Sequence, residues 1–249
     1  MAQIPLKSAE EMDLMRRAGK LLGKIRDSLE KEMQKGLTTA FLDSLAEKLI
    51  RENGAESAFK GYLGFPGNIC ISINSQVVHG ISGSRRLSEG DVVSIDMGIK
   101  YKGYFSDMAF TKGIGKISPR ARRLIACTRK ALAKGIKNAR EGKFLSDISH
   151  AIEAYTKKRG YSVVKDFVGH GIGRKLHEEP PVPNYGPPGR GPRLKAGMVL
   201  AIEPMVNIGG SEVKVEKDNW TVVTMDGSLS AHFEHTVAIT SRGPRILTK

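Results

Sequence analysis

The sequence predicts an α+β protein made of two related halves, and three observations carry that prediction. Two amphipathic helices, a β-rich run, a His-Gly-Ile step and a second β-rich run follow one another twice along the 249 residues. Leu87-x-x-Gly90-x-Val92-x-x-Ile95-Asp96 is matched by Leu194-x-x-Gly197-x-Val199-x-x-Ile202-Glu203, so a carboxylate closes both copies. The stretch from Val92 to Asp107 reads as a β-hairpin about Lys102-Gly103, because glycine supplies the positive φ of a tight reversal.

With Lys102-Gly103 as the loop, counting outward pairs Gly98 with Asp107 and Asp96 with Ala109. Side chains alternate along a strand, so Asp96 and Asp107 share a face and sit diagonally, about 7–8 Å apart at the backbone. Two short carboxylates then point at one spot among Val, Ile, Met and Phe. Like charges in such surroundings need a cation between them, a proton on one, or nearby amide or lysine donors.

The elements follow in order. Ser8-Ala9-Glu10-Glu11 is a capping box ahead of a helix with Met12, Met15, Ala18, Leu21, Leu22 and Ile25 on one face. That stripe reads as core packing. A second helix runs from about Thr39 to Asn53 and stops at Gly54. A Gly- and aromatic-rich loop, Gly61 to Pro66, precedes a β-like run from Ile69 to Val78 that ends in His79-Gly80-Ile81.

After Pro119 the order repeats, with helices over about Arg120–Asn138 and Ser146–Arg159 and a β run from Tyr161 to Val168 leading to His170-Gly171-Ile172. Gly36 and Gly54 bracket one helix and Gly142 and Gly160 its counterpart, at the same separation. A Pro/Gly-rich stretch, Pro180 to Pro192, is expected to be extended and exposed. The strand Met198 to Glu203 and a β run from His232 to Thr240 follow. The halves, about 8–115 and 116–249, are expected to face each other across a cleft within one catalytic domain spanning 1–249.

Composition narrows the class. Two cysteines, Cys70 and Cys127, are too few for a disulfide framework and lack zinc-type spacing. Charge interrupts Met1 to Ser8 before any signal-peptide core forms, and no apolar run approaches the roughly 20 residues of a membrane span. A reduced, cytoplasmic protein that meets no membrane is expected. Net charge is +14, which favours polyanions, including the ribosome, although the charges are dispersed and lack the interleaved aromatics of a base-stacking platform.

The duplication sets Glu203 opposite Asp96. With Glu234 on the last β run and His170 after a strand, four carboxylates and one imidazole are available: Asp96, Asp107, His170, Glu203 and Glu234. An oxygen-rich set with one nitrogen suits divalent Mn, Fe, Co or Zn. Two ions about 3.5–4 Å apart would neutralise the cluster and activate a water for hydrolysis. No Gly-x-Ser-x-Gly elbow and no cysteine-nucleophile context competes. Before any family is considered, a lone histidine is a structural or surface residue more often than a ligand, and His150 and His235 are left as such.

The run Gly169-His170-Gly171-Ile172-Gly173-Arg174-Lys175-Leu176-His177-Glu178-Glu179-Pro180-Pro181-Val182-Pro183-Asn184 closely resembles the signature of type I methionine aminopeptidases. Cys70-Ile71-Ser72-Ile73-Asn74 with His79-Gly80, Ile95-Asp96 with Asp107, Ile202-Glu203-Pro204 and Glu234-His235-Thr236 fall where that family has its motifs, over essentially the whole chain.

The resemblance implies a pita-bread fold, two pseudo-twofold-related α/β halves around a central antiparallel sheet. It further implies a dinuclear site that removes the initiator methionine from nascent polypeptides, with a monomer expected. On that pattern Asp96 binds one metal and His170 the other, Asp107 and Glu234 bridge, and Glu203 is both ligand and general base. His79 serves the scissile nitrogen, and His177 polarises the carbonyl. Tyr62, Phe65, Cys70 and Trp220 form the methionine pocket.

Three positions depart from the pattern. Leu176 stands where an aromatic is common and Phe59 where a small residue is common. His232 stands where Gln is frequent, on the face of Glu234, and is expected to tune the metal from just outside the ligand set. Two alternatives are an enzyme of the same fold directed at proline, whose members usually carry a large extra N-terminal domain, and a non-catalytic ribosome- or RNA-binding relative, whose members lose metal ligands. The first helix starts by Ser8, and all five ligand positions are filled.

Overall fold

A computed structural model describes residues 3–249; Met1 and Ala2 of the leading segment lie outside the described residues. Helix α1 spans Ala9–Glu32, and Ser8 and Glu11 cap it reciprocally as the capping box requires. Its inward face buries Met15, Ala18, Leu22, Ile25 and Leu29, while Leu21 is partly buried and packs against the same core. Helix α2 is Thr39–Glu52, capped by the Thr38 hydroxyl. Helices α3, Pro119–Asn138, and α4, Leu145–Lys157, repeat the pair in the second half.

The hairpin consists of Val92–Tyr101 and Tyr104–Gly113, and its register is the one counted from the loop: Gly98 faces Asp107 and Asp96 faces Ala109. Lys102 and Gly103 both take positive φ, as a two-residue reversal between twisted strands demands. Cys70–Ile73 and Glu56–Ser57 complete this four-stranded antiparallel sheet. In the second half, Gly243–Ile246, His235–Thr240, Val199–Ile202, Gly169–Gly171 and Glu178–Val182 form a five-stranded antiparallel sheet in that order. One apolar cluster takes buried residues from both halves, including Leu22, Ile95 and Met108 from the first and Ile152, Ile202 and Val237 from the second.

Two threonines join the sheets across the seam. Thr236 Oγ1 accepts from the Asp107 N–H at 3.0 Å and donates to the Asp107 carbonyl at 2.8 Å. Thr111 does the same for His232, accepting at 2.9 Å and donating at 2.7 Å. The Glu234 N–H donates to the carbonyl of Ala109 at 2.9 Å. Each bond lies in the dry interior, where an unpaired backbone group would be costly.

Several β runs are interrupted. Ile69–Val78 divides into Cys70–Ile73 and Gln76–Val78 about Asn74, whose φ of 61° reverses the chain. Tyr161–Val168 forms strand only at Ser162–Val163, because pairing with Asn207 and Val206 ends there. His232–Thr240 is split after His232, so Phe233 and Glu234 lie between strands. The Pro-rich stretch is not extended loop throughout: Glu178–Val182 pairs with the His170 strand, and Pro180 and Val182 are buried. Among the described residues no helix is long and apolar enough to cross a membrane.

Candidate metal centre

Asp96 and Asp107 leave the hairpin on its inner face, and Glu203 follows the Val199–Ile202 strand. His170 is central in its short strand, and Glu234 enters from the break between the last strands. All five line one cleft, with a cavity volume of about 920 Å³. Asp107, His170 and Glu234 offer ligand atoms that all lie within 4.8 Å of one another, and so do Glu203, His232 and Glu234. Asp96 stands outside these two triplets yet in the same wall, its charge felt by Asp107, Glu234 and His232.

The carboxylates are poorly satisfied. Asp96 Oδ1, Asp107 Oδ1 and Glu234 Oε1 are buried without a hydrogen-bond partner among the described residues. Burial pushes Asp96 up to about 7 and Glu203 up to about 8. Burial, then the neighbouring acids, holds Asp107 and Glu234 well above the carboxylate range. Orphaned buried oxygens facing one another call for a multivalent cation, and this donor set fits a hard-to-borderline divalent ion.

The histidines carry the complementary pattern. His170 Nδ1 lies 2.9 Å from the Gly171 carbonyl, which can only accept, so the proton sits on Nδ1 and Nε2 faces the cleft as a free lone pair. Burial lowers its pKa to about 3. His177 crosses His170 edge-on at 4.3 Å between centroids and is 2.9 Å from the Tyr62 hydroxyl through Nδ1. His79 adopts a φ of 58° at the end of its strand and stands edge-on to Phe167 and Trp220. Burial drops it to about 4. His150 is exposed on α4, and His235 turns from the cleft to pair with Thr248, both outside the site.

Phe65 and Trp220 meet edge-to-face at 5.2 Å, and together with Tyr62 and Cys70 they form an apolar end of the cleft. Phe59 and Leu176 belong to the same apolar cluster as Phe65 and Cys70, so the two departures from the family pattern share one wall. Gly98 makes room there: a Cβ on it would lie 2.8 Å from the Phe59 ring and 3.3 Å from Asp107 Oδ1. The sequence motifs assign no role to Thr111, Thr236, Phe167 or Asn184, whose amide donates to the Glu203 carbonyl at 3.1 Å. A lone threonine in a strand carries no local signal of the seam it crosses.

The model of metallopeptidase family M24 matches residues 13–241. The chain belongs to that family. It is 55% identical over 245 residues to a methionine aminopeptidase of Clostridium perfringens, with 98% of each chain covered. It is 51% identical over 243 residues to methionine aminopeptidase 1 of Bacillus subtilis, again with 98% of each covered. The solved structure of a methionine aminopeptidase from Thermotoga maritima superposes with a TM-score of 0.98 at 42% identity, over 99% of this chain and 100% of that one. A Pyrococcus horikoshii prolidase shares the fold with a TM-score of 0.80 at 25% identity, but the match spans 63% of that longer chain. Membership of M24 makes the chain a metallopeptidase, and the pita-bread fold is common to these structures.

Proposed function

We propose that the protein removes the initiator methionine from nascent polypeptides, using two divalent ions (Co, Mn, Fe or Zn) held by Asp96, Asp107, His170, Glu203 and Glu234. The observation that carries this reading is the convergence of three orphaned, buried carboxylate oxygens on one cleft beside a lone pair of His170. Such ions would supply charge neutralisation and a Lewis acid for hydrolysis.

The chain's own groups divide the remaining work. Glu203, ionised once a divalent ion offsets the charge of its neighbours, takes the proton of the attacking water as its oxygen bonds to the carbonyl carbon. His177 donates to the carbonyl oxygen as negative charge builds there. His79, a neutral imidazole with one ring N–H near neutral pH, hydrogen-bonds the scissile nitrogen and relays to it the proton that Glu203 took from the water as the C–N bond breaks. Tyr62, Phe65, Cys70 and Trp220 enclose an apolar, unbranched side chain with a polarisable sulfur, which fits methionine. Residues 1–249 act as one catalytic domain, as a monomer in the cytoplasm, with the basic surface available to the ribosome.

Metal-loaded protein is expected to release methionine from Met-Ala-Ser and Met-Gly-Met-Met, and a chelator to abolish release until metal returns. Asp96→Asn and His170→Ala are expected to lower kcat/KM at least about 10³-fold while the circular dichroism stays native. Folded variants that turn over at the wild-type rate would overturn the assignment.

A further inference from the structure

His232 is the best-placed imidazole that the five-residue ligand set leaves unused. It ends the Ser230–His232 strand, and both its backbone groups are fixed by Thr111. The ring is 1% exposed, and neither Nδ1 nor Nε2 has a hydrogen-bond partner among the described residues. A neutral imidazole carries one donor and one acceptor, so a buried ring with both unused lacks something.

Distance identifies what is missing. His232 Nε2 lies 3.6 Å from Glu203 Oε2, too far for a hydrogen bond. Two donors on one ion, each about 2.1 Å from it at a tetrahedral angle, lie roughly 3.4 Å apart. The ligand atoms of Glu203, His232 and Glu234 are mutually within 4.8 Å, as are those of Asp107, His170 and Glu234. The two triplets share Glu234, and each contains one imidazole. His170 and Glu203 stand at the same 3.6 Å.

We infer that His232 is itself a metal ligand, giving the Glu203–Glu234 pair a nitrogen donor to match the one His170 gives Asp107 and Glu234. This rests on the metal centre proposed above and replaces the expectation that His232 acts from outside the ligand set. An added nitrogen shifts preference away from the all-oxygen ion Mn and towards Fe, Co or Zn.

The test is proton NMR of the Co(II)-loaded, ¹⁵N-histidine-labelled protein. Each imidazole bound to Co(II) gives a strongly shifted, exchangeable N–H resonance. The wild type is expected to show two, and His232→Gln and His170→Ala one each. Competition of Co(II) against Mn(II), read by elemental analysis after dialysis, is expected to favour Co(II) about tenfold less in His232→Gln than in the wild type. A single shifted N–H in the wild type overturns the proposal without any variant. So does His232→Gln with both resonances and an unchanged metal ratio. Wild-type protein that retains no metal at all would sink the underlying metal centre instead.

Discussion

At the residue scale, the decisive feature is a set of carboxylates that the fold keeps from water. Asp96 and Glu203, at about 7 and about 8, retain protons when folded that the unfolded chain releases near pH 4. Between those limits the metal-free folded state binds more protons than the unfolded state, so its stability falls as pH rises from about 4 to about 8. A bound divalent ion lets the same groups ionise in the folded state and removes that loss. The gap in Tm between metal-loaded and metal-free protein is therefore expected to widen from pH 5 to pH 8. Calorimetry of both forms measures it; a constant gap would contradict the coupling. The hairpin register that aims Asp96 and Asp107 inward was legible because a period of two and a Lys-Gly reversal are local properties. That His232 brings a ring nitrogen to within 3.6 Å of a Glu203 oxygen was not, because that distance is set by two strands that end next to each other.

At the scale of elements, the site depends on how the hairpin is fastened to the second sheet. Thr236 holds both backbone groups of Asp107, so Thr236→Val keeps the shape and orphans a buried donor and a buried acceptor. A loss of about 2–4 kcal/mol is expected in denaturant unfolding of the metal-free protein, with weaker metal retention. Stability within a few tenths of the wild type would show that the seam does not need this bond pair. The loop carrying His177 is tied in another way. Glu178 Oε2 pairs with Lys7 Nζ at 2.6 Å while its Oε1 accepts from the Lys175 N–H, and both charged side chains are buried. The helices and their caps were readable from Ser8-x-x-Glu11 and from the glycines that follow them. Strand ends were less so, since Tyr161–Val168 has the right alternation but only Ser162–Val163 finds a partner.

At the scale of the whole molecule, a net charge of +14 sits on a protein whose cleft wall is acidic. Excess positive charge elsewhere favours a polyanion such as the ribosome. Co-sedimentation with ribosomes is expected at low salt and to fall steeply between 50 and about 200 mM, since each phosphate contact releases counterions. Binding that is absent, or indifferent to salt, would remove ribosome association from the reading and leave the peptidase chemistry untouched.

The sequence by itself determined the duplicated order of elements, the hairpin register, the helix caps and the identity of five acidic and imidazole groups suited to divalent ions. These follow from spacing along the chain, which is all that periodicity and turn chemistry require. Only the tertiary structure decided that a ring nitrogen of His232 comes within 4.8 Å of ligand atoms of Glu203 and Glu234, that Thr111 and Thr236 pin the seam, and that Phe59 and Leu176 join one apolar cluster. The threonine bonds and the Phe59–Leu176 grouping depend on residues more than 100 positions apart arriving at one place, and burial, not local pattern, brings them there.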